Sequence, residues 1–157
     1  MSLMLAGIKI SERLDKRCEI FREVLMMIEE IKNGICYLAL PIDEVFIEIE
    51  KNGICKKLKF LSCFKIAVES GKDFPGAWRE SVYNTYMPLK KSEKEKLISM
   101  ALALGRTDSE GQSNMLRLYY EQFNRYSDEA YEVRKKYFFP SQVSGFLFGG
   151  AVFILLV

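Results

Sequence analysis

Histidine is absent from all 157 residues, and this removes more chemistry than any other feature of the composition. Ser/His and Cys/His nucleophile pairs, His-ligated zinc and imidazole acid–base catalysis are excluded, which leaves carboxylates, lysines or metal-only schemes for any catalytic role. Cysteine is sparse. Cys18, Cys36, Cys55 and Cys63 stand 18, 19 and 8 residues apart, a spacing that matches no thiolate metal motif and implies no disulfide framework, so they read as small, reduced core residues of a cytoplasmic domain. A dominant charge is also missing. With 23 Lys and Arg against 21 Asp and Glu, the net charge of +2 gives no global field for a polyanion, and nucleic-acid binding would need a local patch. No segment sustains an apolar–polar alternation, and turn signals recur only every 10 to 30 residues, so an all-α bundle is expected.

The length supports one domain of about 135 residues with a tail. Two segments carry long apolar stripes. Leu14, Cys18, Phe21, Leu25 and Ile28 step by fours and threes, with Ile35 resuming the phase, and predict a helix from about Lys9 to Leu40. Leu116, Tyr119, Phe123, Tyr126, Ala130, Val133 and Tyr137 repeat that spacing on a second long helix. Each stripe can cover the other; antiparallel packing would bring the start of the first helix and the end of the second to one end of the domain. Shorter helices lie between. Pro41 with Asp43 and Glu44 reads as a first-turn proline followed by acids that suit the helix dipole, opening a helix that stops near Asn52 and Gly53. Phe60, Leu61, Phe64, Ala67 and Val68 mark the buried side of the next, which ends at Gly71. Asp73 and Pro75 start a helix carrying Trp78 and Val82. Ser92 with Glu95 has the form of a capping box, Gly105 of a left-handed stop, and Thr107 with Glu110, or Asp108 alone, of the last cap. The expected architecture is an antiparallel bundle of about six helices, two of them long and outer, plus a C-terminal transmembrane helix.

That last helix rests on an uncharged run. From Tyr137 to Val157 the only ionisable side chain is Tyr137, and 21 residues at about 1.5 Å each reach roughly 31 Å, close to a hydrocarbon core of ~30 Å. Counting only from Gly145 leaves 13 residues, short for a span and compatible with a buried core helix. Arg134, Lys135 and Lys136, followed by Tyr137, Phe138 and Phe139, give the basic and aromatic border of a membrane anchor and favour a cytoplasmic location for the domain. Met1 to Ile8 is apolar but too short to cross and lacks the parts of a signal peptide; it reads as the end of an N-terminal membrane helix. The expected division is therefore 1–8 as that remnant, 9–136 as the helical domain and 137–157 as the C-terminal span.

Candidate chemistry is thin. Glu44 with Glu48, and Asp128 and Glu129 with Glu132, place carboxylates at helical spacing, which without histidine or an apolar cleft describes solvated faces before metal ligands. Gly71–Lys72 lacks the earlier glycine and preceding strand of a phosphate loop. Lys56, Lys57, Lys59 and Lys65 form the best basic patch, but Phe60 and Phe64 between them lie on a buried stripe rather than on a base-stacking surface. Trp78, the single tryptophan, has the placement of a core anchor, while Tyr119, Tyr120, Tyr126 and Tyr131 crowd the last helix and suit a docking face.

Several pieces occur together in one family. Ile35, Tyr37, Pro41, Ile42 and Glu44 look like the pattern Ile-x-Tyr-x-x-x-Pro-Leu-x-Glu; Ala77 and Trp78 follow; Leu104, Gly105, Asp108 and Gln112 then precede a long charged helix and a terminal run with paired glycines. In order and spacing this resembles the stage III sporulation protein AB family, over roughly Gly7 to Val157. The resemblance implies a membrane protein, bitopic or hairpin, whose helical domain is similar to the cytoplasmic domain of the type II secretion F platform protein. It further implies a non-enzymatic, cofactor-free component of the mother-cell to forespore channel, held in the mother-cell membrane around the forespore with its domain in the cytoplasm. Its partners would be a cytoplasmic secretion-type ATPase and other stage III channel subunits, with self-assembly into an oligomer left open and no nucleic acid. The family motif residues would be structural or partner contacts. Two departures stand out: only Leu3 to Ile8 could represent the family's N-terminal membrane helix, and Gly34 stands where a glutamate is usual, at about 1 kcal/mol inside a helix. The other readings are a helical adaptor of a different complex, a carboxylate metal enzyme using Asp128 and Glu132, and a lysine-patch nucleic-acid binder.

Overall fold

The computed structural model describes the backbone of residues 2–155 and the side chains of residues 9–137. Among the described residues there are six α-helices and no strands: α1 (Ser2–Lys32), α2 (Ile42–Lys51), α3 (Phe60–Glu69), α4 (Phe74–Asn84), α5 (Lys91–Ala103) and α6 (Ser109–Leu155). The expected all-α class and the helix count are met. The expected membrane span over 137–157 and the remnant over 1–8 fall, Tyr137 apart, outside the residues whose side chains are described. Among the described residues no helix is long and apolar enough to cross a membrane. The backbone of α6 is one continuous helix from the bundle to Leu155.

Three contacts between α1 and α6, or the turns beside them, fix their direction. Arg134 pairs with Asp15, Phe21 meets Tyr126 at 6.1 Å between ring centroids, and the Cys36 thiol faces the Ser109 carbonyl at 3.7 Å. As one residue number rises the other falls, so the two long helices run antiparallel, as their stripes require. The buried face of α1 is nevertheless broader than its predicted stripe. Phe21 and Ile28 are buried, Cys18, Leu25 and Ile35 only partly so, and Ile20, Val24, Met27 and Ile31 join the core. The reason is that α1 is covered on two sides. Its Phe21 side meets α6, while Glu23 reaches the turn before α3 and Gly34 meets α2.

Glu23 is a buried carboxylate with a defined task. Its Oε2 accepts both the Lys57 and Leu58 N–H groups, at 2.6 and 3.3 Å, tying the 52–58 turn to α1 and compensating the burial of that oxygen. Two local expectations are corrected. Pro41 is the N-cap of α2 rather than its first helical residue, and α5 begins at Lys91, with Glu93 reaching back to the Lys90 N–H at 2.7 Å in place of the Ser92–Glu95 box. The cap on α6 follows one of the two expectations, since Asp108 Oδ1 accepts the Gly111 N–H at 2.9 Å.

The cysteines are not one class either. Cys55 is buried, Cys18 and Cys36 are half-buried and Cys63 is exposed, which corrects their common assignment to the core. Burial first, then the nearby Glu23 and Glu30 carboxylates, push the Cys55 thiol up to about 12. A maleimide at neutral pH is therefore expected to modify Cys63 first and Cys55 only on unfolding. Mass mapping of partially labelled protein checks this, and equal labelling of the two sites would contradict the packing. A folded thiol pKa above the unfolded one stabilises the fold below pH ~9 and loses that contribution as pH climbs toward 12.

Candidate functional site

The two halves of the family pattern lie about 60 residues apart in sequence, yet the antiparallel pairing brings them to one end of the bundle. α1 closes in a π-helical turn, Asn33–Tyr37. Gly34 explains itself here: a Cβ on it would sit 2.7 Å from Cγ2 of buried Val45, so glycine admits α2 against the turn rather than merely weakening a helix. The chain then reverses through Ala39, held at φ +51°, a left-handed conformation that costs a non-glycine residue roughly 1 kcal/mol or more. Backbone bonds from Leu38 N–H to the Asn33 carbonyl at 3.2 Å and from Leu40 N–H to the Gly34 carbonyl at 3.1 Å hold it. This reversal leaves Tyr37 74% and Leu38 66% exposed, side by side.

The second half braces that turn from α6. Gly105 has φ +74°, and a Cβ there would lie 2.9 Å from Cδ1 of Ile42. Its N–H donates to Gln112 Oε1 at 3.1 Å, while Gln112 Nε2 donates to the Thr107 carbonyl at 3.0 Å. Asp108 caps α6 beside them. Gly105, Asp108 and Gln112 thus build one cross-braced turn, and Leu104 is buried beneath it. Ile35 packs partly against the core, and Glu44 lies exposed in the first turn of α2, where its charge suits the helix dipole. Next to this turn runs an open groove of about 670 Å³ with Ile42, Val68, Phe74 and Leu104 among its apolar lining and Asp43, Lys72 and Arg106 on its rim.

Trp78 belongs elsewhere. It is fully buried among Phe46, Phe60, Phe64 and Phe74, with ring centroids 4.5 to 6.1 Å away, and its Nε1 donates to the Leu97 carbonyl at 3.3 Å. Its part in the pattern is to fasten α3, α4 and α5 together. The lysine patch is partly neutralised, Lys57 by Glu19 and Lys65 by Glu50, both at 3.2 Å. Phe60 and Phe64 are buried and offer no face to a base. Among the described residues no group of three or more acidic or cysteine side chains is gathered in metal-binding geometry. Of the three cations expected to flank a membrane, Arg134 pairs with Asp15 across the exposed edge of the α1–α6 seam, and Lys135 and Lys136 are exposed. Of the four tyrosines expected to form a docking face, Tyr119, Tyr120 and Tyr126 pack partly against the core and only Tyr131 is well exposed.

Sequence reasoning missed Leu38 and the groove, although the antiparallel pairing of α1 with α6 forces the end of α1 onto the start of α6. No curated protein and no solved structure matches the chain. The pattern of stage III sporulation protein AB matches residues 1–157, the whole chain. With its motif residues gathered into one turn cluster and its core anchor, the chain belongs to the stage III sporulation protein AB family.

Proposed function

We propose that the protein is a non-enzymatic structural component of the channel built between mother cell and forespore at stage III of sporulation. In this reading the uncharged run from Tyr137 mounts it in the mother-cell membrane, and the helical domain stands in the cytoplasm. The Tyr37–Leu38 end of the bundle docks a secretion-type ATPase or a neighbouring channel subunit. One observation carries this: the residues of the family pattern that are not core converge on the end of the bundle opposite that run, and two adjacent large apolar side chains stand open to solvent there. An exposed aromatic next to an exposed aliphatic side chain is the composition from which interface anchors are made. The charged groups around the groove would set orientation and partner choice.

Changing Tyr37 to Ala together with Leu38 to Asp is expected to remove the ATPase from material co-purified from sporulating cells. The unfolding midpoint should move little, since neither side chain is buried. Undiminished co-purification would exclude this end as the docking surface.

A further inference from the structure

The apolar stripe of α6 outlasts its cover. Leu116, Phe123 and Ala130 are buried, but Val133 and Tyr137 emerge at 41% and 62% exposure, as does Ile10 of α1 at 47%. With Leu14 they line a groove of about 380 Å³ that the Pro88–Lys90 segment ahead of α5 closes on a third side. Arg13 and Lys90 also line it, exposed and forming no ion pair among the described residues. Arg17 is already committed: it donates to the Pro88 carbonyl at 2.9 Å and to Glu93 at 2.5 Å, which fixes the third wall in place.

The segments that form the groove, 9–17, 88–93 and 132–137, hold nine cations against four carboxylates. Two of those four, Asp15 and Glu93, are neutralised by Arg134 and Arg17. What remains is an apolar floor under a positive rim, at the level of Tyr137 where α6 enters its uncharged run.

We propose that this groove binds an anionic phospholipid, with the headgroup phosphate on Arg13 and Lys90 and the apolar part of the lipid against Ile10, Val133 and Tyr137. Charge complementarity selects this occupant, because juxtamembrane cations are drawn to anionic headgroups and exposed aliphatic and tyrosine side chains suit the interfacial zone. The inference rests on the membrane mount proposed above and adds a lipid preference read by α1 and the 88–90 segment rather than by the tail.

The test uses the full chain in nanodiscs of phosphatidylcholine alone or with phosphatidylglycerol, followed by hydrogen exchange. Exchange in the 85–91 segment is expected to slow several-fold only with phosphatidylglycerol. Arg13→Glu with Lys90→Glu should abolish the slowing while leaving the 52–58 turn and co-elution with the disc unchanged. Co-elution with exchange that ignores lipid composition would overturn the lipid site alone, as would slowing that persists in the double variant. Elution apart from discs of both compositions would overturn the mount and the site together. Protection that appears in phosphatidylcholine discs only when a protein partner is added would assign the groove to that partner and overturn the lipid.

Discussion

Trp78→Ala is expected to lower the unfolding free energy by about 3–5 kcal/mol, the range for removing a large buried aromatic side chain. The magnitude follows from where the ring sits. Trp78 is completely buried and touches four phenylalanines that belong to α2, α3 and α4, while its indole N–H reaches α5. Tilted and edge-on aromatic pairs add to simple area burial, so the vacated space would forfeit several favourable contacts at once. Trp78→Phe keeps most of the volume and should cost less than half as much. Denaturant unfolding followed by circular dichroism gives the comparison, and equal losses for the two variants would mean that ring volume is not what the site requires.

A similarly large loss is expected for Glu93→Ala, despite the acid's location at a helix start where charges are usually solvated. Glu93 is 1% exposed, pairs with Arg17 at 2.5 Å and accepts the Lys90 N–H at 2.7 Å. Removing it strands a guanidinium whose side chain is only 14% exposed, and breaking one side of such a pair costs about 3–5 kcal/mol. The paired change Arg17→Met with Glu93→Leu should recover much of that, because no buried charge is left unmatched. A coupling of on the order of 2 kcal/mol between the two positions is expected in a double-mutant cycle. Strict additivity would show that the two groups act separately and that α5 is not clamped to α1 through them.

Lys94 extends the same logic to the far side of α5. Its ammonium donates to the Val82 and Thr85 carbonyls at 3.2 and 3.0 Å, closing the C-terminal end of α4, where a cation suits the helix dipole. Burial lowers its pKa from the usual lysine range. α4 and α5 are thus joined twice, at mid-helix by Trp78 and at the C-terminal end of α4 by Lys94.

The features legible in the sequence were those governed by local periodicity. Stripes of threes and fours named the two long helices, and their mutual need for cover gave the antiparallel pairing that Phe21 and Tyr126 display. Asp73 and Asp108 were readable as caps because an aspartate side chain can accept a backbone N–H. Lys90 was not readable as a boundary, since it caps through its backbone geometry while Glu93 reaches back to its N–H; a scan for Ser or Thr settles on Ser92 instead. The width of the α1 face was hidden for a related reason. A single stripe describes a helix covered from one side, and α1 is covered from two. Gly34 looked like a weakened helix position because the sequence does not reveal that Val45 will press against it. The exposed pair Tyr37 and Leu38 depends on the left-handed Ala39, a conformation that the Leu38 and Leu40 backbone bonds hold and that no local preference of alanine favours.

Together these features describe a bundle with two unlike ends. One is a braced turn cluster that offers Tyr37 and Leu38 to solvent, and the other carries the cation-rimmed groove beside the start of the uncharged run. The proposal that the first end is the one that docks is tested most directly by a photo-reactive residue placed at Leu38 in the full chain in sporulating cells, with Leu118 on the flank of α6 as the exposed control. Covalent adducts with the ATPase or another channel subunit are predicted at position 38 and not at position 118. Adducts from position 118 alone, or equally from both, would contradict the account.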